Sequence, residues 1–512
     1  MKTSIIVAIC SSRKLILVAV FLITTLALLL SILFVVLPRH LDISKGILCY
    51  SYSAVQDIQI EFSAASRAIV KQGKGIYSRD QLEIAKKDLG AFKSTGKFEF
   101  RVKYRERELA HRWIEVNPVT GSLGNGTMAV MDQSASIFIE DLIVTFGFYD
   151  AGPGLGGLPK QHQCYVTVVK ASQNWMRDLA PPGSLAARSP FTKFVLPSSH
   201  DIGMNSMDTS SAIIKHAGTN LIKDVLNAST PHILEEFGRI TDKIIGKFAP
   251  DIVRALAITQ KDSLANILGI GARYFEFRPA RCHRQLQRVS PLNDTFYFQH
   301  GAIPGMSYQQ FLHDIIAFLS QYVHEIVVVQ NRWDGVSRDC PRASTLELEA
   351  ILADALRNSS LRVASFSDMT TKSIDELRSE RKRLILLENI SQTSNYDDVT
   401  SATLSGDSIV QKLQAMGRDP PQEKDIFLIQ CQATASNIKE VVGATVIDSD
   451  AITSPLLATK ATCDHKVLPL LNSEIGHNLT KVNSLVVIMN DFFDGGTADT
   501  AISLSRTRLG LT

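Results

Sequence analysis

The sequence predicts an α/β chain: a TIM-type β/α barrel, preceded by a small antiparallel β domain and an N-terminal transmembrane helix. Three observations predict it. Beyond residue 190, apolar strand-like runs alternate with helical segments, the pattern of a parallel sheet closing into a barrel. Between residues 43 and 179, short strands are separated by Gly and Pro. Residues 15–38 are almost unbroken apolar.

The apolar run is long enough to span a hydrocarbon layer of about 30 Å as a helix. A cleaved signal has an apolar core of about 7–15 residues and a small-residue cleavage site. This run ends in Phe34-Val35-Val36-Leu37-Pro38-Arg39 without such a site, so an uncleaved anchor is expected. Residues 1–14 then form a cytoplasmic tail, and the body is lumenal or extracellular. Lys2, Arg13 and Lys14 precede the span, but Arg39 and Lys45 follow it, so the charge bias for this orientation is slight. Glycosylation sequons at Asn125, Asn227, Asn293, Asn358, Asn389 and Asn478 fit that compartment, with Asn389 expected to be buried. Leaving out Cys10, six cysteines remain: Cys49, Cys164, Cys282, Cys340, Cys431 and Cys463. An even set permits disulfides, and sequential pairing keeps each bridge within one domain. No pair has zinc-site spacing. With a net charge of +3 and no basic stripe, nucleic acid is excluded as a partner.

In the β domain, expected to be a sandwich over 43–179, Lys97–Tyr104 alternates polar and apolar, as a half-exposed strand does. Nothing in this domain carries a catalytic pattern, and it reads as a spacer, a cap or a binding module. Residues 180–190, opening Ala180-Pro181-Pro182-Gly183-Ser184, form a linker. The barrel occupies 191–512. Its strands are placed at 191–197, 273–278, 295–300, 325–331, 383–388, 425–430 and 484–490. That is one short of eight, so the barrel is incomplete or hides a strand. Helices are expected at 263–268, 307–322, 345–357 and 375–381, with Ser307 as a cap. An insertion at about 207–260 reads as helical, either core helices or a lid over the barrel top.

Catalytic groups of such barrels sit at the C-terminal ends of strands. His200, Glu276, Arg278 and His300 fall at or near such ends. Glu276 and Arg278 are two apart and so share a strand face. A lone histidine there is most often an ordinary hydrogen-bonding residue. Two histidines and an arginine on successive strands fit phosphodiester cleavage: one imidazole accepts a proton, one donates it, and a guanidinium holds the phosphate oxygens.

Leu196-Pro197-Ser198-Ser199-His200-Asp201-Ile202-Gly203, then Ala257–Gln260 with Ser263-Leu264, then Gly271–Pro279, Phe298–Gly301 and His324–Asn331 follow one another in an order that resembles the X domain of phosphatidylinositol-specific phospholipase C, in the PLC-like phosphodiesterase superfamily. The resemblance covers about residues 191–492. It implies His200 as general base, His300 as general acid, Asp201 as the carboxylate beside the second histidine, and Glu276 as the acidic residue of the second strand. Arg278 stands where animal-type enzymes carry an acidic calcium ligand, which implies the bacterial-type mechanism with no metal and no cofactor. The carboxylate supporting His200 is expected from the last strand, with Asp491 first and Asp494 second. Ser198 replaces a common glycine, and Glu276 a usual aspartate. The strand ends at Asn331-Arg332-Trp333, Glu388-Asn389 and Gln430-Cys431-Gln432 do not match the family's inositol-recognition groups, so Arg332, Trp333 and Gln432 are only candidate substrate contacts. The expected substrate is a phospholipid or glycolipid headgroup. The alternatives are another barrel phosphodiesterase, or a non-catalytic lipid- or glycan-binding ectoprotein on the same fold.

Overall fold

The computed structural model describes residues 24–26, 43–65, 67–90, 93–128, 134–154, 158–216, 219–229, 242–288, 292–434 and 454–511. The expected anchor at 15–38 lies outside them apart from Thr24–Leu26, which are helical. Among the described residues no helix is long and apolar enough to cross a membrane.

The first part of the chain is a sandwich of two five-stranded sheets. It is not purely antiparallel, because Ser44–Ser53 pairs in parallel with His162–Lys170. Period-two patterning explains why Ser44–Ser53 is buried on both faces. Ile47 and Cys49 point into the sandwich core with Phe62, Phe98, Phe100 and Phe146. Leu48, Tyr50 and Tyr52 point the other way, into a core shared with the barrel. The domain is therefore packed onto the barrel along a whole sheet face. Tyr52 reinforces the seam by donating to Asp499 Oδ2 at 2.6 Å.

The second part is built on one eight-stranded parallel sheet. Its order is Arg362–Ala364, Lys382–Leu387, Val327–Asn331, Tyr274–Phe277, Val195–Ser199, Leu485–Asn490, Ile426–Gln430 and Gln392–Ser394. The sheet curls, but no ladder joins its two edge strands among the described residues. It is an open half-barrel. Leu196, Tyr274, Val328, Ile385, Leu428 and Val487 fill its inner side, as buried parallel strands require. Helices cover the outside. Tyr308–Gln321, capped by Ser307 accepting from Gln310 N, buries Phe311, Leu312, Ile315 and Leu319 at helical spacing. Ser344 and Glu347 form a capping box at the start of Thr345–Leu356.

Several expectations are corrected. The run at 295–300 is not a barrel strand: Tyr297–His300 forms a hairpin with Ile303–Ser307 in a separate three-stranded sheet. Two barrel strands were hidden, Arg362–Ala364 and Gln392–Ser394, each only three residues long. Trp175–Leu179, on the sandwich side of the expected linker, packs into the barrel core through Trp175, Met176 and Leu179. Beneath it lies a buried ion pair. Arg273 donates to Glu325 Oε2 from Nε at 2.9 Å and Nη2 at 2.7 Å, while Glu325 Oε1 accepts from Arg177 N at 3.0 Å. The six cysteines are buried free thiols, so the expected bridges are not formed. Cys49 and Cys164 do lie opposite one another in register. Asn389 is exposed, not buried, because its left-handed φ of 53° turns it out of the strand. The insertion is helical where described, at Asp208–Ile214, Thr219–Ser229 and Asp242–Ala257.

Candidate active site

Strand alternation sets the site. On the second barrel strand Tyr274 faces the interior core while Phe275 and Phe277 face outward, so Glu276 and then Arg278 point inward. On the first strand Leu196 is interior and Val195 exterior, which brings Ser198 and His200 to the inner side. On the last strand Val487 and Met489 are interior, and Asp491 continues that row. His300 arrives from the hairpin that leans over the same end.

His200 Nδ1 lies 2.7 Å from Asp491 Oδ1. Its Nε2 faces Asp201 Oδ2 at 3.7 Å and Glu276 Oε1 at 3.9 Å. His300 Nε2 approaches the same Asp201 oxygen from the other side, at 3.8 Å. Arg278 Nη2 sits 2.9 Å from Asp201 Oδ1 and 3.2 Å from Glu276 Oε1. The side chains of Asp201 and Glu276 are almost fully buried, while the two imidazoles remain partly open to solvent. Asp201 takes a left-handed φ of 44°, a conformation aspartate tolerates better than most residues. The result is two imidazoles flanking one buried carboxylate, with a guanidinium bound to it. Arg278 Nε and His300 Nδ1 are buried without a hydrogen-bond partner. No family model matches the chain. A curated relative, "PI-PLC X domain-containing protein 1" of Danio rerio, is 23% identical over 155 residues, 29% of this chain and 41% of that protein. The match thus spans less than half of the relative's length.

Over those 155 residues the chain is similar to a PI-PLC X domain-containing protein.

Solved structures similar to it include a phosphatidylinositol-specific phospholipase C of S. aureus, at 12% identity and TM-score 0.37, covering 65% of this chain and 97% of that one. Another is the phosphatidylinositol-specific phospholipase C from Listeria monocytogenes, at 15% identity and TM-score 0.37, covering 65% and 98%.

In this site the electrostatics set the two histidines apart. Burial opposes charging His200, but the carboxylates of Asp201, Asp491 and Glu276 outweigh it and push its pKa up to about 9. His300 is lowered: burial dominates, Asp201 opposes, and Arg278 and His200 add to the lowering. Burial works against an ionised Asp201, yet Arg278 and both histidines hold it well below the usual carboxylate range. Asp491 is raised by burial despite its His200 partner. The free site therefore carries its imidazole proton on His200.

His200, Asp201 and Glu276 offer three ligand atoms within 4.8 Å of one another. That donor set does not fit a divalent cation. Arg278 already lies against both carboxylates, and Arg332 Nη1 bonds Glu276 Oε2. An ion there would face two guanidinium charges at close range.

Of the expected substrate contacts, Arg332 reaches the site through Glu276 and is steadied by Asp334, which accepts from its Nε at 2.6 Å. Gln432 continues the interior row of Leu428 and Gln430; its Nε2 donates to Gln430 Oε1 at 2.6 Å, and its Oε1 is buried without a partner. Trp333 does not face the site. Its Nε1 donates to Pro279 O at 3.0 Å, and its half-buried ring packs against the outer core. Asp494 is not at His200 either: it caps the helix Gly495–Arg508 by accepting from Thr497 N at 3.1 Å.

Supporting residues lie outside the strand ends. Gln260 Nε2 donates to His200 O at 2.8 Å and Asn490 O at 3.1 Å, while its Oε1 accepts from Phe493 N at 2.8 Å. Thr259 Oγ1 donates to Asp201 O at 3.0 Å. These two residues staple the His200 turn to the Asp491 turn. The next two dock the sandwich: Lys261 Nζ donates to Ser134 O at 2.7 Å, and Asp262 Oδ1 accepts from Ser136 N at 2.7 Å. The segment Ala257–Gln260 stands out in the sequence, but nothing local marks its glutamine as a clamp. Behind Asp491, Asn490 donates to Asp464 Oδ1 at 2.8 Å, and buried Lys460 pairs with Asp464 at 2.5 Å. Burial pushes the Asp464 pKa up to about 6 against that lysine.

Proposed function

We propose that the protein is a phosphodiesterase that cleaves the headgroup phosphodiester of a phosphatidylinositol-like phospholipid or glycolipid. The observation that carries this reading is the approach of both Nε2 atoms to one Asp201 oxygen beside Arg278, at 3.7 and 3.8 Å. That arrangement gathers a proton acceptor and a proton donor around one carboxylate, with a guanidinium for the non-bridging oxygens.

In this reading His200 takes the proton of a neighbouring ring hydroxyl as its oxygen bonds to phosphorus. His300 protonates the departing glycerol oxygen as the P–O bond breaks. Diacylglycerol and a cyclic phosphate result. Asp491 holds the His200 ring and favours its cationic form. Arg278 neutralises the charge growing on phosphate, and no step passes through a metal. The free site holds its imidazole proton on His200, so the reactive form is the minor one, with His200 neutral and His300 charged. The anchor expected at 15–38 holds the barrel at a membrane carrying the substrate.

A binding role on the same fold is favoured by one observation: Arg278 is already paired with two carboxylates. The deciding experiment presents vesicles containing phosphatidylinositol, or other labelled phospholipids, to the protein with and without chelator. Release of a water-soluble phosphate ester in chelator is expected. No turnover of any diester by folded protein favours the binding role.

A further inference from the structure

The insertion helices enclose a second feature that the proposed chemistry does not use. A narrow apolar cleft, partly open to solvent, runs between the three helices and the strand Ile303–Ser307. Ile213, Ile222, Val225, Leu226 and Val253 line it from the helices and Ile303 from the strand. Among the described lining residues the one side-chain hydroxyl, on Ser210, is spent on Pro304 O at 2.6 Å. Among the described residues the lining thus offers hydrocarbon and no free side-chain polar group. A peptide would bring backbone donors and acceptors that no side chain among these described residues answers, and each would be costly to bury. A saturated chain brings none.

The cleft adjoins the catalytic groups. His300 and Ile303 are directly opposed in their hairpin, so their side chains share a face. On the neighbouring residues the packing is flush: a Cβ on Gly305 would meet Gly203 O at 2.1 Å and Met204 Sδ at 2.8 Å. The strand that lines the cleft therefore lies directly on the turn following His200 and Asp201. His300 is the group placed to protonate the leaving oxygen, and whatever is attached to that oxygen begins beside Ile303.

We propose that this cleft is a subsite for the hydrocarbon chain of the leaving group. The proposal rests on the phosphodiesterase reading for its geometry, but its test does not require turnover. Monomeric n-alkyl phosphates from butyl to decyl are titrated onto the full-length protein by calorimetry. The dissociation constant should tighten about fourfold per methylene until the cleft is filled, the factor expected for burying one methylene. Ile214→Trp, at a half-buried position on the lining, should flatten this dependence while leaving butyl phosphate affinity unchanged. A decyl phosphate with a terminal diazirine should label peptides from Thr219–Ser229 or Asp242–Ala257 on irradiation, which decides the matter if the variant fails to fold. No dependence on chain length in the unmodified protein overturns the proposal, as does labelling confined to other segments or a dependence that survives Ile214→Trp. Chain-length dependence without turnover of any diester keeps the subsite and removes the enzymatic reading; turnover without chain-length dependence does the reverse.

Discussion

Asp491 Oδ1 lies 2.7 Å from His200 Nδ1, so the last barrel strand fixes the ring carried by the first. The carboxylate both orients the imidazole and raises its pKa. Asp491→Asn keeps the shape and removes the charge. It should lower kcat by about 10²–10⁴-fold, the range seen when a histidine loses its orienting carboxylate or its proton-transfer role. Steady-state kinetics on a soluble short-chain substrate would show it; an unchanged kcat would mean that His200 needs no such partner.

The two imidazoles should bound the pH profile. His200 is raised to about 9 and His300 is lowered, so kcat/KM should be bell-shaped, with its alkaline limb near pH 9 and its acid limb below the ordinary histidine range. Above the alkaline limb both rings are neutral and no acid remains; below the acid limb both are charged and no base remains. Asp491→Asn removes a carboxylate charge that raises His200, so the alkaline limb should move down. A limb that stays in place would detach it from His200.

Arg278 should be sensitive to shape as well as charge. Arg278→Ala should cost about 10²–10³-fold in kcat/KM, as expected for losing one preorganised group that stabilises transition-state charge. Arg278→Lys should recover little of it, because an ammonium cannot reproduce the planar fork against Asp201 and phosphate. Kinetics on the two variants check this, and full activity in the lysine variant would argue against a planar clamp.

Gln260 makes three hydrogen bonds that join the two catalytic turns. Gln260→Ala leaves buried carbonyl groups unanswered and should cost about 1–3 kcal/mol of stability by denaturant unfolding. Because the turns hold His200 and Asp491, kcat should also fall. Loss of stability alone, with kcat intact, would make the clamp purely structural.

Glu325→Gln tests the opposite end of the barrel. It strands the charge of fully buried Arg273, and removing one partner of such a pair costs about 3–5 kcal/mol. Unfolding monitored by tryptophan fluorescence is apt, because Trp175 lies beside this pair.

Much of this site is written in local sequence. The alternation on Tyr274–Phe277 fixes which way Glu276 and Arg278 point, and His200 follows from the same rule one strand away. The hairpin carrying His300 misleads because Tyr297–His300 has the apolar character of a barrel strand, while its partner strand is rich in small and flexible residues. Arg362–Ala364 and Gln392–Ser394 are too short to show any period. Gln260 acts through backbone groups that any residue carries, and Asp464 reaches Asn490 more than twenty residues away, so no local pattern marks them. Trp333 sits beside a strand end, but it alternates to the outer face.

The most direct test of the central claim is phosphorus NMR of the water-soluble product formed from phosphatidylinositol vesicles in the presence of EDTA. Two-histidine, metal-free cleavage predicts a cyclic phosphodiester resonance from the unmodified protein and none from His200→Ala or His300→Ala. Product that appears only when a divalent cation is restored, or that persists in both histidine variants, would contradict it.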